Sequence, residues 1–397
     1  VWSAKNIMNL KKSINSQYRS GILRRESGRA LSTPIALGVL GFSLFISGCG
    51  QPADDMAKSG LSREEAFELA ERSIDYDALI YNGFLPDADS PLPDTSMPPA
   101  DLTTIRMGIS WVANDQFAPW ILGKELGFFE AEGIDLQIVE GGPGRDNLVN
   151  LIGEQIDVFI GAAEPVLQLL MSPTGSDVVM FGATMKGSSA GWVMLDKSIP
   201  KDQRSTKVIT ADDIRGKRVG IQNGAVFYTQ FVCDQLGITP DEFTILIAGG
   251  TPDALISGAM DFFQCWIVNQ PRILERAGYK NWVGVTFNDL GYESYNDISV
   301  VRRETFENQK PVLAAYTRGL ARSMDYLVAN LEESAEIVAK ALDPVFELTA
   351  ADIIWRMERE IPIYQGKVGE RLLYMDPDKV KRIVALLIEY GQIDIKP

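Results

Sequence analysis

Glu140-Gly141-Gly142-Pro143-Gly144, then Leu151-Ile152, then Asp157-Val158-Phe159-Ile160: this order returns later in the chain as Gly249-Gly250, Leu255-Ile256 and Asp261-Phe262-Phe263. In both copies a Gly-Gly pair precedes a Leu-Ile pair, an aspartate follows that leucine by six residues, and an apolar run follows the aspartate. Upstream of the first copy, Ile105 to Ile109 reads as a strand, Ser110 to Phe117 as a loop, Pro119 to Glu130 as a helix and Leu136 to Val139 as a second strand. Upstream of the second copy, Val219-Gly220-Ile221, Gln222 to Phe227, a helix through Phe231 and a strand from Phe243 to Ile247 follow the same plan. A repeat at this period is a supersecondary unit, and strands alternating with helices predict a parallel sheet. Two such units predict an α/β chain of two lobes, with a cleft where the strand ends of both lobes face each other.

The remaining chain is read around these units. The first lobe is expected over 104–195 and 299–397, and the second over 196–298. The chain crosses between them near Met194-Leu195 and near Ser299-Val300-Val301, natural hinges for closure. Pro311 to Ala341 is a helical run, with Leu313, Tyr316, Leu320, Met324 and Leu327 on one face, and the C-terminal helices are expected to return to the first lobe. Residues 49–103 read as a tether holding one helix, begun by the capping-box spacing Ser62-Arg63-Glu64-Glu65 and packing on the surface. Pro86 to Pro99 reads as an extended linker.

Composition excludes several functions. Net charge is -15; the first 48 residues contribute +6, so the body carries -21 and repels nucleic acid. The chain has no histidine, which removes the commonest general base and metal ligand and every Ser-His or Cys-His nucleophile. Its three cysteines, Cys49, Cys233 and Cys265, have no zinc-site spacing. Cys233 and Cys265 either pair in an oxidising compartment or stay as buried thiols.

The start of the chain reads as an address. Arg24, Arg25 and Arg29 precede an apolar run from Pro34 to Ile46, which ends in Ile46-Ser47-Gly48-Cys49. This order resembles the bacterial lipobox, which implies a signal peptide over 1–48, a lipid on Cys49 and export to the outer side of the cytoplasmic membrane. A buried helix with an incidental cysteine is the plainer alternative. The long lead before Arg24 fits an over-extended reading frame or an alternative start.

Several segments carry a wider resemblance. They are Trp111 to Phe117; Leu126-Gly127-Phe128-Phe129-Glu130 with Gly133-Ile134-Asp135; Glu140 to Gly144; Asp157 with Gly161; Gly216-Lys217-Arg218-Val219-Gly220; and Trp266 to Pro271. From Thr104 to Ile337 the chain resembles the solute-binding proteins of ABC importers for nitrate, sulfonates, taurine and thiamine-pyrimidine precursors, and the related riboflavin-binding lipoproteins. The resemblance implies a periplasmic-binding-protein-like fold of type II and a small-molecule ligand. It also implies a permease and an ATPase as partners, a monomer, and no cofactor, metal or catalytic residue. One branch of the family, the eukaryotic thiamine-pyrimidine synthase, consumes its own histidine and carries a cysteine-rich iron motif. This chain has neither, which favours binding over that chemistry.

Each candidate ligand residue has a plainer alternative. Trp111, Asn114, Gln116 and Phe117 sit in the first loop, where an indole and amides suit a planar heterocycle; a core tryptophan and capping amides are the alternative. Gly142, Gly144 and Arg145 precede a helix whose free N–H groups would hold an anion, or form a turn that needs glycine. Glu164 would accept N–H bonds at a strand end, or serve as a helix-start charge. Lys186, Ser188 and Trp192 border a hinge. Asn223, Phe227 and Tyr228 form the second lobe's counterpart of the first loop, and Trp266 and Asn269 follow its last repeat strand. Trp111 and Trp266 are expected on opposite walls of the cleft. Met185, Met194, Met260, Trp282 and Tyr292 read as core. Nitrate or sulfonate would want several basic donors. Aromatics, amides, Arg145, Lys186 and one acid favour a planar nitrogen heterocycle, such as a pyrimidine precursor or a flavin.

Overall fold

The computed structural model describes residues 58–86, 94–142, 144–172, 175–222, 226–342, 347–367 and 369–394. The leader, Cys49 and Asn223 lie outside the described residues, as do 87–93 of the expected linker and the side chain of Phe227.

Among the described residues, ten strands form two five-stranded sheets. The first holds β1 (Thr103–Ile109), β2 (Ile134–Val139), β3 (Val158–Gly161), β4 (Val178–Met185) and β10 (Asn296–Arg302), in the order β2-β1-β3-β10-β4. The second holds β5 (Ala190–Leu195), β6 (Arg218–Ile221), β7 (Thr244–Ile247), β8 (Phe262–Trp266) and β9 (Trp282–Thr286), in the order β7-β6-β8-β5-β9. Both sheets therefore follow one plan. The three repeat strands run parallel, and beside them lies an antiparallel strand from the other side of the crossing. The helices used below are α1 (Arg63–Ser73), α2 (Ala118–Glu125), α3 (Asn147–Ile152), α4 (Ala163–Leu170), α5 (Val226–Leu236), α6 (Gln270–Arg276), α7 (Lys310–Ala329), α8 (Ala350–Gln365) and α9 (Pro377–Glu389). Among the described residues, no helix is long and apolar enough to cross a membrane.

The repeated aspartate has a physical role. Asp157 accepts from the Arg106 backbone N–H at 2.8 Å and from its guanidinium at 3.0 and 2.7 Å, and the same arginine reaches Glu154 O at 3.1 Å. Asp261 holds Arg218 likewise, through the backbone N–H at 3.1 Å and the guanidinium at 2.9 and 3.0 Å, with Gly258 O at 2.7 Å. Each forked arginine pins the first repeat strand to the start of the third. Two residues on, Gly108 and Gly220 let a neighbour in. A methyl on Gly108 would lie 2.3 Å from Ile156, and one on Gly220 would lie 2.2 Å from Met260, the residues just before the two aspartates.

The structure shifts the expected boundaries. Strand β5 belongs wholly to the second sheet, so the first crossing is 186–189 and not Met194-Leu195. Strand β10 belongs to the first sheet from Asn296 onward, so the second crossing is 287–295, ahead of Ser299-Val301. Apolar β5 and β10 look like boundary segments in sequence because each is a central strand of the sheet it enters.

The segment around α1 is no loose tether. Its capping box forms as expected, and Ala66, Leu69 and Ala70 are buried. Helix α1 packs on α9; Ser59 N–H donates to Glu389 O at 3.1 Å and Arg63 pairs with Glu389 at 3.0 Å. Farther on, the Tyr81 N–H donates to Met180 O at 2.9 Å, and Asn82 exchanges hydrogen bonds with the Met375 backbone. Of the expected helix 311–341, Leu313, Tyr316, Leu320, Met324 and Leu327 are buried on α7, and a new helix starts after Asn330. Helix α8 gives Ile353, Met357 and Tyr364 to the core of the first lobe. Cys233 and Cys265 are free buried thiols in separate core clusters, so the pairing alternative falls. Burial pushes the Cys233 thiol up to about 12.

Candidate functional site

The first loop follows the carboxyl end of β1, between Ile109 and the helical turn at Asp115. Trp111 is 47% exposed there. Its carbonyl accepts from the Gly141 N–H at 3.1 Å, and Glu140 accepts from the Ala113 N–H at 2.9 Å. The two loops touch so closely that a methyl on Gly141 would lie 2.4 Å from Ile109 O. The glycines thus serve loop contact. The anion reading of Gly142, Gly144 and Arg145 weakens, because Asp146 takes the first N–H groups of α3, at 2.9 and 3.3 Å. Arg145 is exposed on a turn closed by its own N–H to Gly142 O at 2.9 Å.

Asn114 accepts from the Gln116 N–H at 2.8 Å and starts the turn that follows. Gln116 is buried, and its amide donates to both oxygens of Asp297, at 3.0 and 3.3 Å. Asp297, at the mouth end of β10, is itself buried and has a left-handed φ of 49°. Burial pushes its carboxyl up to about 7, against the pull of the Gln116 bond. Beneath the same loop, Arg356 of α8 donates to Asp115 at 2.8 Å and to Glu360 at 2.8 Å, and the Tyr364 hydroxyl donates to Glu360 at 2.8 Å. Burial raises the Glu360 carboxyl, and Arg356 partly offsets this. These charged residues share a face with Ile353 and Met357, and charges on a buried stripe were the sequence signal that went unread.

Phe117 and Trp192 are corrections. Phe117 is wholly buried in the first lobe's core, 6.2 Å from the Trp120 ring. Trp192 is 0% exposed on β5, edge-on to Phe243 and Phe262. Strand alternation turns it into the core.

At the hinge, the structure brings candidates from both lobes together. Glu164 follows β3 and lies buried at the start of α4. It accepts the Tyr292 hydroxyl at 2.9 Å. Its other oxygen has no well-aligned partner among the described residues, since the nearby Ser294 hydroxyl donates to Tyr295 O at 3.3 Å. Burial raises this carboxyl. Tyr292 comes from the second crossing, and its ring meets Tyr228 of α5 edge-on at 5.1 Å. Tyr228, from the second lobe, stacks on Phe287 at 5.1 Å. Tyr292 was expected as core; it is buried, but it is also the link between Glu164 and Tyr228.

Lys186 is buried in the first crossing. It donates to Tyr374 O and lies 3.4 Å from Glu370; burial pulls its amine down to about 8, and Glu370 resists. Ser188 accepts from the Ala190 N–H at 3.1 Å and so shapes the crossing. Trp266 is half-buried at the end of β8 and packs against the first lobe's core, so it does reach across the seam. The Asn269 N–H donates to Trp266 O at 2.8 Å, and Gln270 links Trp266 N–H at 2.9 Å to Gly250 O at 3.1 Å. Among the described residues, no group of histidines, cysteines or carboxylates is placed to hold a metal ion.

Comparison with known proteins agrees with this architecture. The sulfonate-binding protein SsuA of Escherichia coli superposes with a TM-score of 0.57 at 15% identity, covering 74% of this chain and 94% of that one. The alkanesulfonate-binding SsuA of Xanthomonas axonopodis pv. citri, bound to MOPS, gives 0.54 at 17% identity over 75% and 96%. At such identities the likeness shows the fold, that of the periplasmic binding proteins. In sequence, the chain is similar to the 4-amino-5-hydroxymethyl-2-methylpyrimidine phosphate synthase of Schizosaccharomyces pombe, 26% identical over 154 residues. That match spans 38% of this chain and only 42% of the relative's length. The NMT1/THI5-like family model matches residues 114–334, more than half of the sequence, and the chain belongs to that family.

Proposed function

We propose that this protein is the extracytoplasmic solute-binding component of an ABC importer, and that it captures a small planar nitrogen heterocycle between its lobes. The observation that carries the reading is the meeting of Glu164 from one lobe with Tyr228 from the other through Tyr292 of the crossing. A buried carboxyl with a raised pKa accepts from N–H groups or donates its own proton, and aromatic rings beside it suit a flat ligand. A pyrimidine precursor or a flavin has both features. Catalysis is not part of this reading: the chain has no histidine, and the similarity to the pyrimidine synthase covers a minority of either protein. The protein works as a monomer held to the membrane by lipid on Cys49 and hands its ligand to a permease and ATPase.

A second reading, nitrate, taurine or another sulfonate as ligand, is favoured by the sulfonate-binding proteins that share the fold. The basic side chains near the candidate site count against it, because Lys186 is paired with Glu370 and Arg356 with Asp115 and Glu360. A thermal-shift screen of the protein against pyrimidines, flavins, sulfonates and nitrate separates the two, since a ligand bound at 100 times its Kd adds about 2.7 kcal/mol of stability. A heterocycle should raise the melting temperature of the wild type and raise that of Glu164→Gln less. A rise with sulfonate or nitrate alone would overturn the heterocycle, and no rise with any class would overturn solute capture.

A further inference from the structure

One helix, α8, touches both α6 of the second lobe and the first loop of the first lobe. At the start of α8, Asp352 accepts from Arg272 of α6 at 2.8 Å, with Arg276 of the same helix at 3.8 Å. Asp352 is 4% exposed at its side chain, and Arg272 is 28% exposed. Helix α6 follows directly on β8 and Trp266, and its Leu274 is in a core cluster of the second lobe, so this contact joins the lobes. The guanidinium groups of Arg272 and Arg359 both lie over Trp355, at 6.0 and 3.6 Å from the ring centre. One turn farther, Arg356 grips Asp115 at the base of the first lobe's loop. Thus Asp352 and Arg356, four residues apart on α8, hold the two sides of the mouth. The hinge side is tied separately, by the Tyr390 hydroxyl to Asp234 of α5 at 2.7 Å.

We propose that α8 is a clasp, with Asp352 and Arg272 as positioning residues that hold the lobes together at the mouth. The clasp needs no ligand, so it stands or falls apart from the heterocycle reading. Burial works against the Asp352 charge, yet the Thr349 bonds and the arginines hold its carboxyl below the usual range, so it stays ionised at neutral pH. Charge-assisted hydrogen bonds of this kind are the strong ones, and the partly exposed Arg272 leaves the contact open to salt. An opening motion has to break this contact first at the mouth, while the hinge contacts turn with the crossings.

The test is small-angle scattering of the full chain with no ligand added. In Arg272→Glu with Arg276→Glu, two repelling carboxylates face Asp352, and the open-to-joined ratio should rise at least tenfold, the effect of losing one charge-assisted bond. The radius of gyration should grow while each lobe keeps its exchange-protected core. Arg272→Lys should stay near the wild type, a rescue that simple packing loss would not give. Raising salt should expand the wild type and, by screening the repulsion, contract the double variant. Superposing profiles of wild type and double variant would overturn the clasp. Should the double variant fail to fold, Asp352→Asn, which keeps an oxygen for the Thr349 cap, must expand the protein or the clasp is wrong.

Discussion

Asp297→Asn isolates the cost of the buried carboxyl at the mouth. The Asp297 carboxyl is pushed from 3.8 to about 7 by burial, with Glu360 adding to the rise and Arg356 and the Gln116 bond opposing it. In the folded state it therefore binds a proton more tightly than in the unfolded chain. Its contribution is fully present below 3.8 and is lost as pH climbs to about 7, so this group makes stability fall with rising pH. At ~1.4 kcal/mol per pH unit, the gap is worth about 4 kcal/mol by pH 8. Asparagine does not titrate, and Gln116 keeps a bond to it by flipping its amide. Over a body of roughly 340 residues, unfolding entropy is about 0.7 kcal/mol per degree, so 4 kcal/mol is about 6 °C. Calorimetry from pH 4.5 to pH 8 should show the variant gaining on the wild type by about 3 kcal/mol, or about 4–5 °C, because about a quarter of the loss is already complete at pH 4.5. Glu164 titrates in both proteins and cancels in the comparison; Glu360, coupled to Asp297, cancels only in part. Parallel curves, with a constant gap at every pH, would show that Asp297 is ionised throughout and refute the argument.

Two further outcomes follow from the geometry. Arg356→Met strands Asp115 and Glu360 in the core; breaking a buried ion pair costs about 3–5 kcal/mol, or about 4–7 °C on the scale above, and a loss under about 1 °C would mean that the network is not formed. Trp192→Ala should lower stability by about 3–5 kcal/mol as a core truncation, while the exposed Trp111→Ala should melt with the wild type; the reverse order in melting temperature would place the first-loop tryptophan in the core instead.

What the sequence disclosed was whatever repeats. The Gly-Gly, Leu-Ile and Asp spacing fixed two parallel units, because strand and helix periods and turn glycines are local properties. Capping at Ser62 and the buried stripe of α7 were legible for the same reason. The crossings were misplaced by several residues because sheet membership is decided by pairing partners far away in the chain: β5 pairs with β8 and β9, and β10 with β3 and β4. At the candidate site, Glu164 and Tyr228 were legible from their places after β3 and β6. Tyr292 was not, since nothing local distinguishes a buried tyrosine that packs from one whose hydroxyl reaches a carboxylate. Asp297 left a trace, an acid opening an apolar strand, and Arg356 with Glu360 left another on the buried face of α8.

The two halves keep their likeness at one end of the sheets and lose it at the other. At the amino ends of the strands, Arg106 with Asp157 and Arg218 with Asp261 form the same forked brace, and Gly108 and Gly220 admit the same neighbour. These contacts set strand register. At the carboxyl ends, the first lobe has Gln116, Asp297 and Glu164, whereas the second has Tyr228 and Trp266. A scaffold duplicated for stability is free to diverge only where its strands end in loops, and ligands of open α/β sheets sit there. The two lobes bring different groups to one point, a buried carboxyl at Glu164 and an aromatic ring at Tyr228, joined through Tyr292 of the crossing. On the proposed reading, capture would require the lobes to meet, and a clasp such as α8 would then set part of how tightly a ligand is held.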